Sequence, residues 1–301
     1  MSSPRSPIAA IDVGSNTILL TVAEYDPDIG LVVLEEGEDQ PRLSSGLSVR
    51  GRLSEEAMGR ALATLAQMRD TCRRHHVQQV AAVATAAVRE AGNGAEFVER
   101  VRALGVPLRI ISPEAEAALS YRSVVHHFPG GERTLIADIG GGSLELTGAT
   151  SGSVRLSKSL PLGAVRLTER GTSVEKLREH ASGVLGSVIA GTEWRGSRII
   201  GSGGTFATLA AMALARRGLG DQPIHGTVVS AAELDQLLDQ LDGLSPEQRR
   251  QTPGLRPERA DIIVTGLIVV AELMKSVGAT EVTVSGFGLR DGLLLEMVGL
   301  E

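Results

Sequence analysis

Only one cysteine, Cys72, occurs in the 301 residues, so no internal disulfide can form and no cysteine-built metal site exists. It falls at an apolar position of a helical pattern and is predicted to be core. Long apolar runs are also missing. The longest, 262–271, holds ten residues and includes Thr265 and Gly266, whereas a spanning helix needs about 20. Residues 1–7 carry no apolar signal core. These absences predict a cytoplasmic protein without membrane contact. Positive charge is not in excess: 36 acids against 30 bases leave a net charge of −6, which argues against nucleic acid as a partner. Lysine is scarce, since 27 of the 30 bases are arginine. Arginine suits bidentate phosphate recognition, although so uniform a preference also follows from genome composition. Several catalytic signatures are missing as well. No Gly-Lys pair exists for a Walker loop, no glycine cluster satisfies G-x-G-x-x-G, and neither G-x-S-x-G nor H-E-x-x-H occurs.

What is present centres on Leu135-Ile136-Ala137-Asp138-Ile139-Gly140-Gly141-Gly142-Ser143-Leu144-Glu145-Leu146-Thr147. This reads as an apolar strand that halts at an aspartate, a glycine turn, and a second, alternating strand. Consecutive glycines let the backbone fold back sharply and bring bare N–H groups close to a ligand. Asp138 and Glu145, one on each side, offer two oxygen donors suited to a hard cation such as magnesium. Taken alone, the stretch fits a phosphate–metal site and a plain glycine hairpin with surface acids equally well. Near the start, Ile11-Asp12-Val13-Gly14-Ser15-Asn16-Thr17-Ile18 follows the same plan 126 residues earlier. That spacing is too long for a solenoid. It predicts two related lobes, each presenting an acid and exposed N–H groups to a common cleft.

The rest of the chain alternates strands and helices, so the class is α/β. A helix is predicted over 53–76, with Ser54 as N-cap, Glu55 and Glu56 at its positive end and Arg73, Arg74, His75 and His76 at its negative end. A strand over 80–85 runs into a polar loop, 86–93, that carries Arg89. A helix over 95–104 and a strand over 108–111 follow. Ser112-Pro113 then opens a helix reaching about residue 127, with Glu114 and Glu116 in its first turn. Further helices are predicted over 174–189, 206–216, 231–241 and 260–275, the last buried. The glycine turn 201–205, between a strand and a helix start, is a ready anion site. A last strand covers 281–285, followed by the loop 286–292 and a terminal helix.

Taken together, Asp12-Val13-Gly14-Ser15-Asn16-Thr17, Ala84-Thr85-Ala86-Ala87-Val88-Arg89, Ile111-Ser112-Pro113-Glu114-Ala115-Glu116-Ala117, Asp138 through Glu145, Gly201-Ser202-Gly203-Gly204-Thr205 and Gly288-Leu289-Arg290-Asp291-Gly292 come in a recognisable order. The chain resembles the exopolyphosphatase/guanosine pentaphosphate phosphohydrolase (Ppx/GppA) family, in its short form, over residues 8–298. That resemblance implies two actin-like (ribonuclease H-like) lobes with a cleft between them. We expect them over 1–120 and 121–301, the last residues of the chain being candidates to pack on the first lobe. It implies a phosphohydrolase that releases terminal orthophosphate from polyphosphate or the guanosine alarmone pppGpp, with Mg2+ as cofactor and a homodimer as a candidate assembly. Asp12, Asp138 and Glu145 would then surround the magnesium or its water. Gly14, Ser15, Asn16 and Thr17 would cradle phosphate from one lobe, and Gly140, Gly141, Gly142 and Ser143 from the other. Arg89 would hold the phosphate chain, and Gly203, Gly204 and Thr205 would face a nucleoside. Glu116 would be the catalytic base, with Glu145 assisting. The chain departs from the family pattern at Pro113, at Ala86 and at an extra Gly92. Two other readings compete: a non-catalytic polyphosphate or alarmone sensor, and an actin-like ATPase or kinase.

Overall fold

The structure, a computed structural model, describes residues 6–129 and 133–300, so part of the 1–7 reading lies outside the described residues. Five strands form the first sheet: β1 (Ile8–Val13), β2 (Ile18–Asp26), β3 (Gly30–Asp39), β4 (Gln79–Ala84) and β5 (Leu108–Ile110), in the order β3-β2-β1-β4-β5. The first three are antiparallel neighbours, and β4 and β5 join in parallel. Alternation along β1 sends Ala9, Ile11 and Val13 into one apolar layer and Ile8 and Ala10 into another, so both faces of the sheet are buried. Helices α1 (Leu47–Arg50), α2 (Glu55–Arg74), α3 (Ala86–Glu90), α4 (Gly94–Ala103) and α5 (Pro113–His127) fill the connections. Ser54 caps α2 as expected, its side chain accepting from the Ala57 N–H. Cys72 is buried in the layer formed by α2 and α4, and burial pushes its thiol pKa up.

The second sheet holds β6 (Arg133–Ile139), β7 (Leu144–Thr150), β8 (Ser153–Leu160), β9 (Arg198–Ser202), β10 (Val228–Ser230) and β11 (Glu281–Val284), in the order β10-β11-β9-β6-β7-β8. Leaving out β10, this is the strand order and sense of the first sheet. Its helices are α6 (Ala164–Glu169), α7 (Val174–Ile189), α8 (Gly203–Arg216), α9 (Ala231–Leu241), α10 (Pro246–Arg249) and α11 (Ile263–Val277). Ten residues of α11 are buried, including Glu272, whose carboxylate meets Arg178 at 2.9 Å. The α9 start carries a complete capping box between Ser230 and Glu233, and Arg217 is paired with the same carboxylate at 2.8 Å. Ser230→Ala should lower stability by about 1 kcal/mol, read as a drop in thermal or urea midpoint.

The chain divides into one unit of Met1–His126 with Leu289–Glu301, and another of His127–Gly288. The closing helix α12 (Leu289–Met297) belongs to the first unit, its Leu289, Leu293 and Leu294 packing with Ile8 and Ala10. In the second unit, the His127 and Phe287 rings stack with centroids 3.8 Å apart and an interplanar angle of 10°. His225 lies edge-on to Phe287 at 4.9 Å.

Some local expectations change. Residues 86–90 form a helix rather than a loop, because Ala86, Ala87 and Val88 bury against the sheet. The loop expected over 286–292 gives way to helix from Leu289. There Gly292 lets α12 approach α5, since a Cβ would sit 1.9 Å from the Leu119 carbonyl oxygen.

Candidate functional site

The two predicted hairpins share more than a sequence plan. The Gly14 N–H donates to Thr17 O at 3.0 Å, and the Gly140 N–H donates to Ser143 O at 3.0 Å, so the same tight turn closes both. Strand register is equivalent as well: Asp12 pairs with Leu19, and Asp138 pairs with Glu145. The duplication is therefore geometric, but the chemistry around the two acids differs. Asp12 lies between Leu19 on β2 and Val83 on β4. Asp138 lies between Glu145 on β7 and Ser202 on β9, and Glu145 in turn pairs with Ser159 on β8.

In the second unit this makes a polar row across four strands. Directly opposite residues in neighbouring strands point to one face of a sheet, so the two carboxyl groups lie side by side. Ser202 Oγ donates to Asp138 Oδ2 at 3.0 Å, and Ser159 Oγ donates to Glu145 Oε1 at 2.9 Å. Two glycines close around Asp138: a Cβ at Gly203 would lie 2.3 Å from Oδ1, and one at Gly288 would lie 3.8 Å from Oδ2. Loss of water around this carboxyl pushes its pKa above the usual aspartate range, with the Ser202 hydrogen bond pulling the other way. The donor set fits Mg2+, which takes one or two carboxylates and fills its other positions with water and substrate phosphate. No cluster of three or more metal-ligating side chains occurs among the described residues. Within the second unit, a hard cation bound here would rest on this pair.

The glycine turn beside that row is held from behind. The carbonyls of Gly140 and Gly141 accept from the N–H groups of Ala164 and Arg166 at 3.0 Å each, and Gly142 O accepts from Arg166 Nε at 2.6 Å. Gly163 leads into α6 directly against the turn. A Cβ there would meet Gly142 C at 2.2 Å, Ser143 N at 2.3 Å and Gly141 O at 2.4 Å. In the first unit, Ser15 O and Asn16 O accept from the N–H groups of Ser44 and Arg42, at 2.9 and 3.0 Å. The Asn16 amide donates to Gln40 Oε1 at 3.1 Å. Sequence reasoning missed both braces. They act largely through backbone N–H groups, which no residue type announces, although Arg42-Leu43-Ser44 and Arg166-Leu167-Thr168 do repeat a pattern.

The α5 start forms as expected, with Pro113 at the first helical position and the Ala115 N–H donating to Ser112 Oγ at 3.2 Å. Hydrogen bonding to its own N–H and to Ser112 holds the Glu114 carboxyl below the usual glutamate range, as befits a helix-start acid. Glu116 points inward and is 7% exposed. Arg89 Nη1 donates to Glu116 Oε2 at 3.0 Å and to Ile111 O at 2.9 Å. The arginine expected on the phosphate chain and the acid expected as base are thus an ion pair bridging α3 and α5. Arg89→Ala and Glu116→Ala should be non-additive in a double-mutant cycle. We expect a coupling of about 0.5–3 kcal/mol in unfolding free energy, as for contacting residues; strict additivity would mean the pair contributes nothing.

The third predicted glycine turn is built differently from the expectation. Gly203 and Gly204 lie inside the first turn of α8, with Gly203 at φ 82. The Arg259 guanidinium packs against Gly204, where a Cβ would be 2.0 Å from Nη2. Thr205 is buried against Gly266 of α11.

The family model for the Ppx/GppA phosphatase family matches residues 21–301. Exopolyphosphatase 2 of Mycobacterium tuberculosis is 31% identical, over 97% of this chain and 98% of that protein. A crystal structure of an exopolyphosphatase from Cytophaga hutchinsonii superposes with a TM-score of 0.90 at 28% identity, over 98% of this chain and 99% of that one. The Aquifex aeolicus member of the Ppx/GppA family gives a TM-score of 0.82 at 29% identity, over 98% of both chains.

Proposed function

The chain belongs to the Ppx/GppA phosphatase family, and from that premise we propose that it hydrolyses the terminal phosphoanhydride bond of inorganic polyphosphate or of pppGpp. The observation that carries the reading is the second unit's polar row, with two adjacent carboxylates beside a glycine turn whose carbonyls are all tied back. Hydrolysis of such a bond is mainly a matter of positioning and charge neutralisation. Backbone N–H groups of Gly14, Ser15, Asn16 and Thr17, and of Gly140, Gly141, Gly142 and Ser143, take phosphate oxygens. Arg89 adds positive charge and orients Glu116. Glu116 accepts the proton of the attacking water; the new P–O bond forms as the bridging P–O bond breaks, and orthophosphate leaves. Asp138 and Glu145 would hold Mg2+, with Asp12 on the first hairpin as a third oxygen donor toward the ion or its water. The ion, when bound, supplies charge that offsets repulsion between phosphate and carboxylates. Gly203, Gly204 and Thr205 are the groups we assign to a nucleoside, if the substrate is pppGpp.

The test is orthophosphate release from long polyphosphate, tripolyphosphate, pppGpp and ATP, assayed side by side with Mg2+ and with a chelator. Release from polyphosphate or pppGpp that stops on chelation supports the reading. Binding without release would favour a sensor, and release that needs an acceptor would favour a kinase. No helix among the described residues is long and apolar enough to cross a membrane. A cytoplasmic location and a homodimer belong to the same proposal, and light scattering reads the second.

A further inference from the structure

The turn at Gly140–Ser143 has three successive carbonyls fixed by one short element. Gly140 O accepts from Ala164 N, Gly141 O from Arg166 N, and Gly142 O from Arg166 Nε. In a trans peptide the carbonyl of one residue and the N–H of the next point in opposite directions, and the chain contains no cis peptide among its described residues. Each carbonyl drawn toward α6 therefore turns one N–H away from it: those of Gly141, Gly142 and Ser143. None of these three donates to an acceptor among the described residues. Three N–H groups on successive turn residues, all facing away from α6, are the elements of a nest for an anionic oxygen cluster.

The brace is itself anchored. Thr168 Oγ1 donates to Ala164 O at 2.7 Å and accepts from the Thr265 hydroxyl at 2.9 Å, which ties α6 to the buried helix α11. Leu167 and Ala164 are buried, while Arg166 is half-buried. The side-chain bond to Gly142 is the one link in the set made by a replaceable group. A neutral side chain at 166 would keep the backbone bonds and free only the Gly142–Ser143 peptide. That peptide could then rotate and withdraw the Ser143 N–H from the nest.

We propose that Arg166 is a positioning residue of the phosphate loop, holding the Gly142–Ser143 peptide so that Ser143 N–H joins those of Gly141 and Gly142 on a terminal phosphoryl group. The assignment rests on the phosphohydrolase reading for its ligand class, and its test separates the two. The probe is tripolyphosphate, followed by backbone amide NMR of the full chain and by phosphate release. Lysine at 166 keeps the charge and the stem but lacks the planar Nε–H fork. Tripolyphosphate should shift the amides of Gly141, Gly142 and Ser143 in the wild type. Arg166→Lys and Arg166→Ala should both weaken binding by about tenfold, as expected for loss of one charge-assisted bond, with the Ser143 shift most reduced. Melting temperatures should stay within a few degrees of wild type, and added guanidinium should restore part of the Arg166→Ala loss. If Arg166→Ala fails to fold, Arg166→Lys carries the test. Wild-type affinity and a wild-type Ser143 shift in Arg166→Lys would overturn the assignment, as would wild-type amides that ignore tripolyphosphate. Amide shifts without any phosphate release would leave Arg166 in its role and remove the hydrolase reading instead.

Discussion

Glu116→Gln should reduce phosphate release by about 10²- to 10⁴-fold, the usual contribution of a positioned proton acceptor, while tripolyphosphate binding stays near wild type. Glutamine has the shape of glutamate and keeps an oxygen for Arg89 Nη1, so the α3–α5 bridge seen at 3.0 Å can persist in neutral form. Arg89 also keeps its bond to the Ile111 carbonyl at 2.9 Å, which limits its freedom to wander. The first turn of α5 is set by Ser112 and Pro113, through the Glu116 N–H to Ser112 O bond at 3.0 Å, and the substitution leaves that backbone untouched. The variant should therefore fold, bind and not turn over. Rates near wild type would remove Glu116 from the mechanism. Weak binding with an unchanged rate at saturation would make it a substrate-binding group instead.

Gly163→Ala should cost activity about 10²-fold, the penalty of misplacing reacting groups by about an ångström. The residue has φ −71 and ψ 145, a conformation open to alanine, so the backbone itself carries no strain. The obstacle is space. The new methyl would lie 2.2 to 2.4 Å from Gly142 C, Ser143 N and Gly141 O, all main-chain atoms that cannot step aside by rotating a side chain. Either the glycine turn or the α6 start must move, at a cost of about 1–3 kcal/mol in stability. Gly183→Ala is the matched control, since a Cβ there meets nothing within 4 Å on α7. It should keep activity and gain about 0.5–1 kcal/mol. Wild-type turnover in Gly163→Ala would show that the turn need not keep its present form.

Much of the fold was legible because local signals agreed with burial. Helices expected over 174–189 and 231–241 have those bounds, each opened by a serine that caps it. The repeated Asp-Gly hairpin was readable because its turn depends on residue type. Strands β3 and β8 were not readable. β3 is an outer strand whose second half is charged, with Glu36 and Glu38 exposed, and half of β8 is exposed, so neither shows an apolar alternation. Within the site, Asp138 and Glu145 were visible as acids, but their alignment with Ser202 and Ser159 is a product of register between strands up to 64 residues apart. The Arg89–Glu116 pair joins two motifs that had been read as separate contributions. Gly163 and Arg166 stood in plain view in the sequence without a role, since what they do depends on the turn they touch.

The ring stack of His127 on Phe287 has a consequence for how this protein could be taken apart. The second unit is a single length of chain, His127–Gly288, and the rings of His127 and Phe287 beside its two ends stack with centroids 3.8 Å apart. It is in effect a cassette with neighbouring ends, the arrangement that lets a domain be inserted into or lifted out of a host. Produced alone, residues 127–288 should give a cooperative unfolding transition and a dispersed amide spectrum. Such a fragment would allow the glycine turn, its acid pair and its α6 brace to be titrated with tripolyphosphate and Mg2+ in isolation. Phosphate capture could then be weighed separately from the Glu116 chemistry carried by the rest of the chain.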